Sequence, residues 1–289
     1  MSLSWTAPDS LALGPAGQAG AGARGLAPAE RPQRIVSLVP ATTEMLFAMG
    51  AGDRVVAVGS YDHFPPEVER LPRVGALLDP NVERILAMKP DLVVLYGTQT
   101  DLQTQLSRAR IPYFAYSLGS LPDVALSIRA IGSRVGASGA EALATSIERR
   151  LADIRARVAG RPRPSTLLVF GRERGSLRNI DASGGSGFLH DMLVTAGGAD
   201  VLADVPRQSV VMSTEMVLAR APDVIIEVRS SDEAAAPPDL RVWDTLSAVP
   251  AVKNRRVYLL AGDEFVVPGP RAVTATERFA RTLHPEVFR

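Results

Sequence analysis

Two stretches of this chain, 132 positions apart, carry nearly the same pattern. NVERILAMKPDLVV (81–94) recurs as STEMVLARAPDVII (213–226), and each copy reads as a short helix, a Pro-Asp turn and a buried strand. A second pair, MLFAMGAGD (45–53) and MLVTAGGAD (192–200), lies 147 positions apart, so insertions or deletions separate the copies. The repeats predict two lobes of similar architecture, whether by duplication or by independent arrival at the same pattern.

Short apolar runs alternate with helical patterns throughout both halves. IVSLV (35–39), RVVAV (54–58) and DLVVLY (91–96) predict strands, and the segments between them predict helices. This alternation is typical of a parallel sheet covered by helices. A chain of 289 residues is also longer than most domains built around a single hydrophobic core. The predicted fold class is therefore α/β, with two Rossmann-like lobes on mostly parallel sheets.

One long amphipathic helix separates the halves. In residues 138–159, Ile147, Leu151, Ile154 and Val158 repeat at helical spacing, and RPRPS (161–165) ends the helix because proline removes a backbone donor. The predicted organisation is a flexible leader rich in Ala, Gly and Pro at 1–33, an N-terminal lobe at 34–136, a linking helix at 137–160 and a C-terminal lobe at 161–289.

Several function classes are disfavoured. With 32 basic and 31 acidic residues the chain has no global field that attracts nucleic acid, and it has no cysteine for thiolate metal sites or catalysis. No GxSxG or Walker sequence occurs, and Gly50-Ala51-Gly52 follows a helix instead of a strand. An α/β enzyme is thus a less favoured function class. A module that binds other proteins but no small ligand is a third class. His63 alone is a weak metal signal, so no metal site is predicted.

Three stretches of the first half carry a family resemblance: RIVSLVPATTEMLFAMG (34–50), VVAVGSYDHFPPEV (55–68) and PRVGALLDPNVERILAMKPDLVVLYG (72–97). They resemble the helical-backbone class of ABC-transporter substrate-binding proteins, and above all its vitamin B12-binding members, because VPATTE, SYDHFPP and NVERI keep their relative spacing. The resemblance extends from residue 34 to about residue 285.

The resemblance implies a function and a cellular place. It implies an extracytoplasmic protein, without a cofactor of its own, that captures cobalamin or a related corrinoid between its lobes and delivers it to a membrane permease dimer. It is expected to act as a monomer in the periplasm or anchored to the envelope, with the targeting segment absent from this sequence. A binding protein of the same class for a ferric siderophore or haem is the alternative.

Comparison with the family also marks departures. Tyr61 and Phe170 stand at positions similar to aromatics that face the corrinoid, whereas Leu77 and Ser209 stand where tryptophans are expected. Haem-binding members usually carry a tyrosine ligand at the position of Ala76, and alanine cannot ligate iron.

The predicted ligand site lies in loops at the carboxyl ends of the strands, where open α/β sheets bind ligands. Arg172 follows a strand directly and could grip a carboxylate, although Arg174 and Arg178 in the same loop suggest an ordinary solvated basic segment. The predicted ligand-binding residues are Ala41, Thr42, Tyr61, Leu77, Tyr96, Phe170, Arg172, Asp263 and Phe265.

Glu83 and Glu215 occupy matching positions in the repeat, each in the first turn of its helix. The helix dipole alone favours a carboxylate there. The family resemblance implies a further role, because such glutamates, one per lobe, dock into arginine pockets on the two permease subunits. Both residues are therefore predicted to bind the permease.

Overall fold

The structure is a computed structural model that describes residues 31–117, 119–231 and 239–288. Residues 1–30 of the predicted leader lie outside this part of the chain. The strands are β1 (Ile35–Ser37), β2 (Val55–Val58), β3 (Leu92–Tyr96), β4 (Tyr113–Tyr116), β5 (Ser165–Gly171), β6 (Ile180–Ser183), β7 (Ala199–Asp200), β8 (Ser209–Met212), β9 (Val224–Arg229) and β10 (Val257–Ala261). The helices are α1 (Pro40–Ala48), α2 (Val82–Ala87), α3 (Thr100–Arg108), α4 (Asp123–Val135), α5 (Ala140–Val158), α6 (Phe188–Thr195), α7 (Thr214–Arg220), α8 (Pro250–Lys253) and α9 (Ala272–Leu283), with 3₁₀ turns at Gly52–Arg54, Pro66–Arg70, Leu240–Leu246 and Asp263–Phe265.

The first lobe contains a four-stranded sheet in the order β2-β1-β3-β4, and every neighbouring pair is parallel. Its central strands are apolar on both faces, as parallel strands covered by helices must be. In β3, Leu92 and Val94 face one core while Val93 and Leu95 face the other. The predicted α/β class with a parallel sheet is confirmed in this lobe.

The second lobe departs from the expected parallel arrangement. Strands β10, β9 and β5 are parallel, but β6 pairs antiparallel with β5 and β8 pairs antiparallel with β6. Strand β6 is reversed because the connection 172–179 is short, and a parallel crossover needs a dozen or more residues. The sheet is therefore mixed, with the parallel part limited to three strands and the short β7 beside β5.

The linking helix is part of a core that both lobes share. Ile147, Leu151 and Ile154 of α5 are buried in one continuous apolar cluster with residues of β1, α4, β5, β9 and α9. Gly136, in the left-handed conformation at φ 62°, ends α4 and lets the chain turn into α5. Because α5 packs on α4 and α9 along its length, the connection between the lobes is a packed helix instead of a free linker.

The 132-position repeat has the same structure in both lobes. The classes of solvent exposure of residues 81–95 and 213–227 are identical position by position. The side chains of Asn81 and Ser213 each accept a hydrogen bond from the backbone N–H three residues on, capping α2 and α7. Lys89 and Ala221, which precede the repeated prolines, share positive φ values of 48° and 43°.

Two further pairs of turns correspond between the lobes. Gly50 and Gly197 turn the chain after α1 and α6 at φ 82° and 84°. A third pair, not evident in the sequence, joins the turns before β4 and β10 at an offset of 145: Arg110 and Arg255 have φ 58° and 55°. Each of these turns is closed by the same backbone hydrogen bonds, including Ile111 N to Leu106 O and Arg256 N to Ala251 O. The two lobes are therefore built from the same three units.

Candidate functional site

The candidate site is formed by loops that follow the carboxyl ends of the strands in both lobes. We call them the cleft loops: residues 59–64, 75–80 and 96–99 of the first lobe, and 171–178 and 262–266 of the second. Loops at this edge of an open α/β sheet are where ligands bind, because side chains and helix starts converge there.

Hydrogen bonds hold the three cleft loops of the first lobe together. The backbone N–H of Ser60 donates to the carbonyl of Gly75 over 2.8 Å. The amide of buried Gln99 accepts from Tyr96 N at 2.9 Å and donates to Leu77 O at 3.0 Å. Gly75 has φ 95°, and a Cβ there would lie 2.4 Å from Asp79 O, so only glycine fits this turn. The apolar tip at Leu77 and Leu78 is thus fixed against the loop after β3.

The cleft loops carry exposed apolar side chains. Tyr61 is 63% exposed and Leu78 is 93% exposed, and Phe64 and Val266 are also open to solvent. Large hydrophobic side chains concentrated in loops at a binding edge mark a ligand or partner surface more often than they mark chance exposure. Three of these side chains belong to the first lobe and Val266 belongs to the second.

The predicted ligand residues fall into two groups. Tyr61 is exposed, and the side chains of four others are partly open at the edge: Leu77, Tyr96, Phe170 and Asp263. Tyr96 lies edge-on against Tyr116 with ring centroids 6.2 Å apart, and burial raises its pKa to about 12, so its phenol is neutral. These positions leave surface available to a ligand.

The other group is buried and needs correction. Ala41 and Thr42 are in the interior, and the Thr42 hydroxyl already donates to Val39 O at 2.9 Å. Phe265 is fully buried, with its ring 5.2 Å from that of Phe279. Side chains without accessible surface offer a ligand no contact in this arrangement. Ala41 and Thr42 belong to the first turn of α1, and Phe265 ends a 3₁₀ turn, so positions that the sequence placed in loops are part of packed elements.

Arg172 also has a different position from the one expected. Its guanidinium and the Glu227 carboxylate are both only 2% exposed, and Arg172 Nε donates to Glu227 Oε1 over 2.6 Å. Its remaining N–H groups donate to Glu227 Oε2 and to the carbonyls of Glu173, Ser176 and Asp239. Since all five N–H groups have partners within the protein, Arg172 has none left to grip a carboxylate ligand.

Glu227 is the centre of this buried network. It lies on β9 where the alternating pattern would place an apolar side chain, and it also accepts from Trp243 Nε1 at 2.6 Å and Arg229 Nη2 at 3.0 Å. The run VIIEVR places a charged residue inside an otherwise apolar strand. Because a buried charge needs a partner, this pattern could have predicted a buried ion pair. The network supports the loop 172–179 at the edge of the site.

An ion pair joins the two lobes beside the cleft loops. Arg271, before α9, donates to both oxygens of the buried Glu44 of α1, at 2.6 and 3.1 Å, and stacks 4.0 Å above the ring of Phe64. Burial raises the pKa of Glu44, while the hydrogen bonds from Arg271 oppose the rise. Arg271 also lies 3.6 Å from Glu264, which pairs with Arg278. No sequence pattern indicated this contact across 227 positions.

Asp62 is a buried carboxyl group beneath the exposed Tyr61. It is 1% exposed, and among the described residues neither carboxylate oxygen has a hydrogen-bond partner. The neighbouring Thr43 hydroxyl donates to Ser37 Oγ at 2.8 Å instead. Burial raises the pKa of Asp62 to about 7, although the nearby Thr43 hydroxyl and then the charge of Arg73 oppose the rise. Arg73 also donates to the backbone carbonyls of Gly59 and Asp62, which fixes the loop.

The two glutamates assigned to docking are exposed in the first turns of α2 and α7. A hydrogen bond from the Ser213 hydroxyl lowers the pKa of Glu215, which keeps this carboxylate ionised. Their surroundings are equivalent by the internal repeat. Each lobe therefore presents one carboxylate to solvent in the same local structure.

Two kinds of feature are absent from the part of the chain that the structure describes. In residues 31–117, 119–231 and 239–288, no three His, Asp or Glu side chains are grouped so that they could hold a metal ion. Within the same ranges, every helix is too short or too polar to cross a lipid bilayer.

Comparison with known proteins gives consistent results. A family model described as a periplasmic binding protein matches residues 35–264. An uncharacterised ABC transporter substrate-binding lipoprotein of Bacillus subtilis is 30% identical over 266 residues, covering 90% of this chain and 82% of the relative. The vitamin B12-binding protein of Salmonella typhimurium is 31% identical over 258 residues, covering 86% of this chain and 90% of the relative.

Solved structures agree with the sequence relatives. The periplasmic vitamin B12 binding protein of Vibrio cholerae matches with a TM-score of 0.75 and 25% identity, covering 90% of this chain and 99% of that one. A periplasmic haem-binding protein of Roseiflexus sp. RS-1 matches with a TM-score of 0.74 and 26% identity, covering 88% of this chain and 99% of that one. These relatives are substrate-binding proteins and not enzymes, and their ligands differ.

Proposed function

The chain belongs to the periplasmic binding protein family, and from this premise we propose that it captures cobalamin or a related corrinoid between its lobes for delivery to a membrane permease. That it is a substrate-binding protein of the ABC-transporter type follows from its relatives. The identity of the ligand, the docking residues and the place of action outside the cytoplasm are the parts that need testing. We propose action as a monomer, in the periplasm or attached to the envelope.

The exposed apolar surface of the cleft loops is the observation that supports a corrinoid most directly. Tyr61, Leu78 and Phe64 project from one lobe and Val266 from the other, which suits a large ligand with broad apolar faces. The relatives named vitamin B12-binding proteins support the same ligand. Leu77 and Leu78 supply aliphatic area in the region where tryptophan was expected.

Haem or a ferric chelate is the second candidate, and one observation favours it. The loop 59–64 presents Tyr61 and His63 at the surface of the site, and phenolate and imidazole both bind iron. A structural neighbour is named a haem-binding protein. The internal use of Arg172 removes one of the arguments for a carboxylate siderophore.

Delivery requires little internal rearrangement in this mechanism. The lobes share a core through α5 and are joined by the Glu44–Arg271 pair, so the ligand is bound by burial of its surface with limited closure of the lobes. Affinity then depends on the pre-formed surface and not on an ordering step. The loaded protein docks on its permease with both lobes.

Calorimetric titration of the purified chain with cyanocobalamin, cobinamide, haem and ferric siderophores tests the proposal. We expect tight binding of a corrinoid, and we expect Tyr61→Ala and Phe170→Ala each to weaken it about tenfold, because each ring buries a large apolar area against the ligand. Leu126→Ala, which alters an exposed leucine of α4, is the control. Exclusive binding of haem or a ferric siderophore would refute the corrinoid assignment, and unchanged affinity in both ring variants would place the ligand elsewhere.

Charge reversal tests the docking role of the glutamates. We expect Glu83→Lys combined with Glu215→Lys to abolish stimulation of the permease ATPase, because like charges then face each other at both contacts. Ligand affinity should stay within twofold of wild type, since both side chains are exposed and neither residue belongs to the cleft loops. The matched control is Glu67→Lys in the turn Pro66–Arg70. Exposed Glu141 of α5 is less suitable, because it pairs with Arg129 and its reversal would also break that ion pair. Retained stimulation would disprove the assignment.

A further inference from the structure

The large hydrophobic side chains that are exposed among the described residues are concentrated on two surfaces. Ten such residues occur, and four belong to the cleft loops. Four others lie on α2 and α7 or on the strand that leads into α7; they are Leu86, Val211, Met216 and Leu218. Scattered exposed hydrophobics are normal, but a second group outside the cleft loops, on corresponding elements of both lobes, requires its own explanation.

Two of these residues correspond in the internal repeat. Leu86 and Leu218 are 132 positions apart, and they are 38% and 44% exposed. Each follows its lobe's docking glutamate by three residues, so leucine and carboxylate are neighbours on one helix face. The residues just before them, Ile85 and Val217, are fully buried and secure the helices to their lobes. The leucines therefore contribute to a surface and not to a core.

We propose that Leu86 and Leu218 are paired apolar anchors for the membrane permease, each acting beside the glutamate one turn earlier. This inference rests on the proposed docking of Glu83 and Glu215. Two equivalent patches, one per lobe, fit a partner with two equivalent subunits. Each permease subunit would present a basic side chain next to an apolar depression on its outer surface.

The two parts of each patch have different physical roles. The carboxylate attracts and orients the partner through charge, which acts mainly on the association rate and weakens with salt. The leucine is buried on docking, which slows dissociation and depends little on salt. In the second lobe Met216 and Val211 are also exposed, and Arg84 stands at the position of the first lobe that matches Met216.

Binding kinetics on the cognate permease complex in lipid nanodiscs test this inference. For Leu86→Ser combined with Leu218→Ser we expect dissociation about tenfold faster, an association rate within twofold of wild type, and an effect that persists at high salt. Binding of cyanocobalamin and the melting temperature should be unchanged, because both side chains are outside the cleft loops and the core. Leu126→Ser, at an exposed leucine of α4, is the matched control and should dissociate as wild type does.

The charge-reversed variant, measured in parallel, separates the two proposals. If charge reversal abolishes binding and the serine variant dissociates as wild type does, the leucine anchors are refuted and the glutamate docking stands. If charge reversal leaves binding unchanged, the docking surface itself is wrong and the anchors are refuted with it. Faster dissociation of the Leu126→Ser control to the same extent would also overturn the proposal, because the effect would then be general to exposed leucines.

Discussion

Replacing Arg172 by methionine is expected to lower the free energy of unfolding by about 3–5 kcal/mol, because it leaves the buried Glu227 carboxylate without its main cationic partner. Both side chains are 2% exposed, so water cannot take the place of the guanidinium. Arg229 and the Trp243 N–H remain bound to Glu227 but do not replace the lost bidentate contact. Urea unfolding at neutral pH measures the loss.

Two companion variants test the cause. Arg172→Met combined with Glu227→Gln removes the unpaired charge and should recover part of the stability. Arg174→Met alters an exposed arginine of the same loop and should change stability by no more than about 0.5 kcal/mol. A loss below about 1 kcal/mol in Arg172→Met would contradict the buried network. Unchanged affinity for the ligand in this variant would confirm that Arg172 supports the loop and does not bind the ligand.

Replacing Asp62 by asparagine is expected to stabilise the protein at pH 8 by roughly 3–4 kcal/mol, from a pKa difference of about three units at 1.36 kcal/mol each. Burial raises the pKa of this carboxyl from 3.8 to about 7, so the folded protein holds a proton that the unfolded chain has released. Asparagine has a similar shape and carries no charge. It therefore avoids the cost of a buried carboxylate that has no hydrogen-bond partner among the described residues.

The sign of the pH dependence follows from the direction of the shift. Between pH 4 and pH 7 the folded state binds more protons at Asp62 than the unfolded state does, so this group's contribution to stability falls as the pH rises. The wild type and Asp62→Asn should be equally stable near pH 4 and differ fully above pH 7. Asp153→Asn, at an exposed position of α5, is the control. A constant difference at all pH values would show that Asp62 does not titrate in this range.

Asp62 also connects stability with the candidate site. It lies directly after Tyr61, and its loop is held by Arg73 through backbone carbonyls. A buried carboxyl group without a hydrogen-bond partner is energetically unfavourable. Such features are found at functional sites more commonly than elsewhere in a protein. Ligand titration of Asp62→Asn alongside the stability measurement shows whether the loop needs this group to present Tyr61.

Local patterns of residues predicted most of the helices and strands. The helical repeat of apolar residues predicted α5 inside residues 137–160, and the structure has it at Ala140–Val158. The repeat at 132 positions predicted matching helix and strand units, and α2 with β3 and α7 with β9 have identical patterns of exposure. These features depend on neighbours within one or two turns, such as the caps at Asn81 and Ser213, and so they can be read from the residues.

The tertiary structure decided which side chains meet. Nothing local distinguishes Arg172, which is enclosed by Glu227, from the exposed Arg174 two residues later. Glu44 and Arg271 pair across the lobes, and Phe265 fills the core instead of the cleft, only because sheet order and helix packing bring distant segments together. The sequence by itself determined the two similar α/β lobes and the linking helix, since periodicity and capping act locally. The charges that are buried, the side chains that are exposed at the candidate site and the pairing of β8 with β6 depended on contacts between distant segments, which no local pattern encodes.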